Sequence, residues 1–413
     1  MNQSKQTVEP LSFMEILALP STEKEARGLL HTPQEIQQQP STWLETFQIL
    51  KSRQRDLKEF LRESGLGGVS NKEVGVCLIG AGTSDHIGGS LTALLKKEWK
   101  CHVEAVPSTD LLTEMDEYIA SAPASTHHLW ISFSRSGDSY EGVTVIQNAL
   151  EKYPQIRHVI VTCNKASRMA NEIARDKSNV FCLALDEKVN DLGLAMTGSF
   201  TNMVVAGHCL AHILDLDEYQ PILETLSKVG AERLPEIARL AEETASNDYS
   251  RICFLGSGAL KSVGKESALK VMELTAGHYS VMSESFLGLR HGPLSWLNHD
   301  SLVIGFLSNY ADKLRIELGL LEELSEKGAA KNILAVLPQG DVNVSEYVDS
   351  KLILNIPDWF DDNYRPPVDI LFAQCLGLFA SLRRHLKPDA PSADGKIQRV
   401  VSQIGFAGLS LSD

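Results

Sequence analysis

The sequence predicts an α/β protein made of two tandem, doubly wound parallel-sheet domains. Two observations carry that expectation. Short β-branched runs bounded by Gly, Pro or polar residues alternate with helix-length amphipathic segments along most of the chain. The pattern then returns: runs starting near Val76, His102, His128, His158 and Val180 are matched by runs starting near Ile252, Tyr279, Ser301, Asn332 and Leu352, at offsets of about 172 to 177 residues. Nearly continuous apolar strands joined by crossover-length helices form parallel sheets covered on both faces. Each half therefore reads as one open sandwich, and the chain as an internal duplication.

With 413 residues and 43% hydrophobic content the chain can bury two ordinary cores. The boundaries are expected as follows: short helices over 1–49 leading into the first half, a first domain over 50–214, a polar helical connector over 215–248 ending in the Ser246-Asn247-Asp248 breaker, and a second domain with a C-terminal tail over 249–413. A formal charge of −14 repels nucleic acid and anionic lipid, so an anionic substrate needs a local site that opposes the global field. The longest apolar run, near Ile370 to Leu382, is too short to span a bilayer, and the first ten residues show no signal-peptide pattern; a cytoplasmic location is expected. Seven scattered cysteines without a CxxC pair read as reduced structural thiols, and no His/Cys/Asp/Glu set has metal-ligand spacing. No metal and no cofactor are expected.

Chemistry concentrates where strands run into helices. The first strand enters Gly80-Ala81-Gly82-Thr83-Ser84-Asp85-His86, where glycine lets the backbone approach a ligand; a plain tight turn is the alternative. A dinucleotide fingerprint would place a third glycine at Asp85, and the matching loop from Gly256 to Lys261 lacks it too, so NAD is not expected. Ser132-Phe133-Ser134-Arg135-Ser136-Gly137-Asp138-Ser139 crowds four hydroxyls at the end of the third strand. Hydroxyls together with free N–H groups at a helix start suit a phosphate, and Arg135 can add charge; capping by Ser136 or Ser139 is the alternative. Thr197 and Ser199 form a third hydroxyl group before an apolar helix, and capping explains them equally well. In the second half Glu266, Lys270 and Glu273 share one helix face, which a solvated ion-pair row would also explain. His291 stands just before Gly292-Pro293, as a catalyst or as a packing or capping residue. Asp361, Asp362 and Arg365 read as a substrate-selecting lid or a solvated acidic loop.

Taken together these segments resemble the isomerase half of glucosamine-6-phosphate synthase and, more generally, the double-SIS sugar-phosphate enzymes, over roughly Leu50 to Gly405. The family's glycine-Thr-Ser turn resembles Gly82-Thr83-Ser84, its SQSGET loop resembles Ser134 to Ser139, its ALKxxE helix resembles Ala268 to Glu273, and its KHGP resembles Arg290 to Pro293. Asp389-Ala390-Pro391 and Lys396 are similar to its DxP segment and tail lysine. The resemblance implies a phosphate held by Ser134, Ser136, Ser139 and Ser84, a proton-shuttling base at Glu273, a ring-opening acid/base at His291 contributed by a neighbouring subunit, and a charge-stabilising Lys396. It thus implies at least a homodimer with shared sites. Arg135 stands where the family has glutamine, and the chain starts at Met1-Asn2-Gln3 without the synthases' glutaminase domain, so glutamine is not expected as the ammonia source. Length, duplication and the segment Tyr364 to Asp369 are most similar to the subgroup named for galactosamine-6-phosphate deaminase and tagatose-6-phosphate ketose/aldose isomerase. The expected substrate is a phosphorylated amino sugar or ketose. Deaminase, plain isomerase and a non-catalytic sugar-phosphate sensor remain open, with the deaminase favoured.

Overall fold

The computed structural model describes residues 11–401, apart from 68–70, 72, 124–125, 341, 343, 345 and 393–394. All ten expected strands form, each beginning within two residues of its expected start. The first sheet holds β1 (Val74–Gly80), β2 (His102–Pro107), β3 (His127–Ser134), β4 (Arg157–Thr162) and β5 (Val180–Ala184), all parallel, in the order β2-β1-β3-β4-β5. The second holds β6 (Arg251–Gly256), β7 (Ser280–Ser285), β8 (Ser301–Phe306), β9 (Asn332–Leu337) and β10 (Ser350–Ile353), also parallel, in the order β10-β9-β8-β6-β7. Read from its other edge, the second order repeats the first. Helices on both faces explain why central strands are apolar without alternation: all six residues of β8 are buried, as are six of the seven in β1.

The chain divides into two compact units. One takes, among the described residues, those of Glu45–Asn190 and Met203–Leu216 and the tail residues 395–401, and so contains the first sheet. Its core sets Cys77, Ile79 and Trp130 against Leu111, Met115, Val145 and Ala149 of the flanking helices. The other takes the described residues up to Leu44 together with Asp191–Asn202 and the described residues of 217–392, and contains the second sheet, with a core built on Cys253, Leu255, Val303, Phe286, Leu320 and Leu324.

The helices before Leu44 thus pack in the unit of the second sheet, although in sequence they lead into the first half. Side-chain hydrogen bonds give the reason. Trp43, fully buried, donates from Nε1 to Thr201 Oγ1 at 2.9 Å; Asn202 Nδ2 donates to Thr42 Oγ1 at 2.9 Å; and Gln39 Nε2 donates to Gln374 Oε1 at 2.6 Å. Buried polar atoms need such partners, which makes this network directional as well as apolar. In the same unit the helix Pro366–Arg383 lies against the helix Ala259–Leu274 at a spacing that favours glycine: a Cβ on Gly377 would sit 2.6 Å from Leu274 Cδ1 and 3.3 Å from the Lys270 carbonyl oxygen. Among the described residues no helix is long and apolar enough to cross a membrane.

Candidate functional site

In the unit of the first sheet the chain leaves β1 toward one edge and β3 toward the other. The carboxyl ends of β1 and β3 therefore flank a topological switch point, where open α/β sheets bind ligands. The two loops that end there are those singled out in the sequence. Thr83, Ser84, Ser134, Arg135 and Ser136 are all buried. Ser134 Oγ accepts the Gly137 amide at 3.0 Å and Ser136 Oγ accepts the Asp138 amide at 3.2 Å. A hydroxyl that has filled an acceptor role in this way keeps its O–H to donate, which is the role a phosphate oxygen requires. Ser139 precedes the helix Tyr140–Lys152 but makes no side-chain capping bond, so capping does not account for it.

Residues that sequence reasoning missed hold this loop in shape. Gly137 has φ +63°, and a Cβ there would lie 2.3 Å from Ser167 Oγ. Asp138 accepts the Arg168 amide at 2.8 Å and Asn164 Nδ2 at 3.3 Å, while Asn164 Nδ2 also donates to the Ser136 carbonyl at 3.0 Å. Asn164 and Ser167 follow β4 in Cys163-Asn164-Lys165-Ala166-Ser167, which in sequence reads as an ordinary polar turn. In the same unit Arg135 donates to the carbonyl of Arg399 in the tail, and Arg399 donates to Asn190 Oδ1 at 2.8 Å and to its carbonyl at 3.2 Å. Lys396 lies exposed on that tail.

The remaining expected residues lie in the unit of the second sheet. Lys270 is fully buried, with Nζ 3.3 Å from Glu266 Oε1 and 2.5 Å from Glu273 Oε2. Burial opposes its charge, but the two carboxylates outweigh burial and hold its pKa above the ordinary lysine value. Glu266 is fully buried too, whereas the side chain of Glu273 is 25% exposed. A solvated ion-pair row is therefore ruled out: one carboxylate is interior and the other opens to solvent from an interior ammonium. His291 is exposed, its amide donating to the Gly288 carbonyl at 3.0 Å between two short helical turns, so core packing does not explain it.

Thr197 and Ser199 sit in the segment Asp191–Asn202, and their hydroxyls donate to buried Asp191 at 3.3 Å and 2.5 Å. The same carboxylate accepts the amides of Thr197, Gly198 and Ser199 at 2.8, 3.0 and 2.8 Å. That is a helix start capped by Asp191, whereas the sequence offered Thr197 or Ser199 as the cap. Asp389 does similar work, accepting the amides of His31 and Thr32 at 3.1 and 2.8 Å. Glu35 accepts the amides of Leu192 and Gly193; burial, reinforced by the charge of Asp191, pushes its carboxyl up to about 8.

The second sheet has its own switch point, between β6 and β8. There Ser308 donates its amide to Glu317 at 2.7 Å and its hydroxyl to Asp362 at 2.5 Å, and Asp362 also accepts the Asn309 amide at 2.9 Å. Arg365, fully buried, pairs with Asp369 at 2.8 Å and Asp362 at 2.9 Å and donates to the Leu307 carbonyl at 2.7 Å. Asp362 and Arg365 therefore form neither a lid nor a solvated acidic loop; they fasten the end of β8 from inside. Asp361 caps the adjoining turn by accepting the Asn363 amide at 2.9 Å.

Comparison with known proteins adds four findings. A family model for the SIS domain matches residues 71–213. D-galactosamine-6-phosphate deaminase AgaS of Escherichia coli is 31% identical over 378 residues, covering 90% of this chain and 94% of its own length. Among solved structures, tagatose-6-phosphate ketose/aldose isomerase from Escherichia coli superposes with a TM-score of 0.78 at 29% identity, covering 87% of this chain and 94% of its own. A Clostridium novyi NT structure superposes with a TM-score of 0.87 at 28% identity, covering 95% and 99%.

Proposed function

The chain belongs to the SIS-domain family that includes the AgaS deaminases, and on that premise we propose that it converts galactosamine 6-phosphate and water to tagatose 6-phosphate and ammonia. The observation that carries the reading is the Ser134–Ser139 loop at the first switch point, whose hydroxyls are arranged to donate to an anion. In this reading Ser134, Ser136, Ser139 and Ser84 bind the phosphate, with Gly82 and Thr83 shaping the turn beside them. His291 passes a proton to the ring oxygen as the hemiacetal opens. Glu273 takes the proton from C2 and returns it at C1, so that the electron pair passes through an enolamine whose charge Lys396 stabilises. Water adds to the C2 imine that results, and the carbinolamine expels ammonia to leave the ketose. Two copies of the chain would share their sites through His291.

A second reading, aldose/ketose isomerisation without loss of ammonia, shares every step before water attack and is favoured by the name of the Escherichia coli structure. One assay separates them: ammonia and ketose phosphate measured together on galactosamine 6-phosphate, glucosamine 6-phosphate and tagatose 6-phosphate. The proposal expects equimolar ammonia and tagatose 6-phosphate from the first, and loss of turnover in Glu273→Gln with phosphate affinity retained. Interconversion of tagatose 6-phosphate without ammonia would select the isomerase. Binding without turnover of any of the three would select a sensor and end the proposal.

A further inference from the structure

Resting on that reading, we propose that Arg135 is a positioning residue that couples phosphate binding to placement of the tail bearing Lys396. Arg135 lies between Ser134 and Ser136, two of the four serines assigned to the phosphate, and is only 6% exposed, so its charge is set within the loop that would receive a dianion. Its guanidinium hydrogen-bonds the main-chain carbonyl of Arg399. The other side of that tail residue is fixed as well, since the Arg399 guanidinium holds both the side chain and the carbonyl of Asn190. Lys396 is three residues upstream of the fastened point, and an extended chain advances at most about 3.6 Å per residue, which confines its Cα to roughly 11 Å of Arg399.

The chemistry of guanidinium makes the coupling specific. Its planar fork carries five N–H donors, so one group can serve a carbonyl on the tail and an anionic oxygen in the loop together. A glutamine amide offers two donors and no charge. A phosphate entering the loop fixes the Arg135 side chain, and the fixed side chain in turn fixes the tail; by linkage the ordered tail tightens the hold on phosphate by the same factor.

Hydrogen exchange of the intact protein tests this without turnover. The amides of 395–401 are followed with and without saturating inorganic phosphate, in the native chain and in Arg135→Ala, Arg135→Gln and Arg135→Lys, with the exchange of the β-strands as a check on folding. The expected result is slowing of tail exchange by phosphate in the native chain, weaker slowing in Arg135→Lys, which keeps the charge but not the fork, and none in Arg135→Ala or Arg135→Gln. In the kinetic arm Arg135→Gln should lose kcat by on the order of 10²-fold, as misplacement of a catalytic group does, with a smaller change in KM. Phosphate protection of the tail that persists in Arg135→Ala would overturn the coupling, as would a native tail indifferent to phosphate. Absence of deaminase activity with the protection pattern intact would remove the substrate assignment and leave the coupling standing.

Discussion

At the end of β3 the hydroxyls of Ser134 and Ser136 accept from their own loop and keep a proton to give, whereas at the corresponding end of β8 the hydroxyl of Ser308 has already given its proton to Asp362. The two sheets share one strand order, so topology supplies a crevice in each. The difference lies in what fills the anion position. In the second sheet the chain provides its own carboxylates, Asp362 and Glu317, and balances Asp362 with a buried arginine; the first sheet provides hydroxyls that keep a proton to donate. One architecture thus carries a loop proposed to bind an anion in one copy and an internal brace in the other, which is why function has to be argued from loop residues rather than from the fold.

The comparison can be broken most forcefully at Asp362. Asp362→Ala leaves Arg365 short of one partner in a fully buried site, and we expect a stability loss of about 3–5 kcal/mol in chemical denaturation, the usual cost of breaking a buried ion pair. A mild effect there would mean that the second crevice is not braced as described. Next come the serines. Ser136→Ala should weaken inorganic phosphate binding by roughly tenfold or more, as loss of a hydrogen bond to a charged group does, with little change in the melting temperature. Ser308→Ala should do the reverse, leaving phosphate affinity alone and lowering stability by about 1–3 kcal/mol through the Asp362 oxygen and the Tyr310 amide it strands. Identical behaviour of the two variants would erase the distinction.

A further expectation concerns pH. Burial, then the charge of Asp191, raises the Glu35 carboxyl to about 8, so between about pH 4.5 and 8 the folded state holds a proton that the unfolded chain has released. Its stabilising contribution is complete below the unfolded value near 4.5 and drains away as pH climbs through the folded value. Glu35→Gln should flatten the stability profile across that window, as read by melting temperature at fixed ionic strength. An unaltered slope would show that the carboxyl is ionised in the native state.

Strands and loops differ in how much of them could be read beforehand. Apolar runs such as VCLIG and SLVIGFLS announce themselves because burial on both faces forbids polar residues, and their return at a fixed offset made the paired sheets legible. The serine loop stood out because four hydroxyls crowd one strand end, more than the capping of one helix start requires. Burial of charge was not. Lys270 and Arg365 look like surface residues in sequence, since nothing local reveals that the partners of Arg365 converge from Leu307, Asp362 and Asp369, or that a glycine at 377 lets a helix close over Lys270's element. The role of Asp191 was equally hidden. Its carboxylate serves a helix six to eight residues downstream, beyond the three-residue reach that capping patterns encode.

The network around Gln39, Trp43, Thr201 and Gln374 also bears on how the protein is made. A growing chain releases the first sheet as one nearly continuous stretch from Glu45, so that sheet can mature while the rest is still being translated. Its companion must wait, because Gln39 finds its partner only when residue 374 has left the ribosome. The last described helix to be synthesised, Pro366–Arg383, closes over segments made long before it, and contacts of such wide sequence separation form slowly. The interval before that closure is when the earliest helices, with Trp43 among them, stand open to chaperones and proteases.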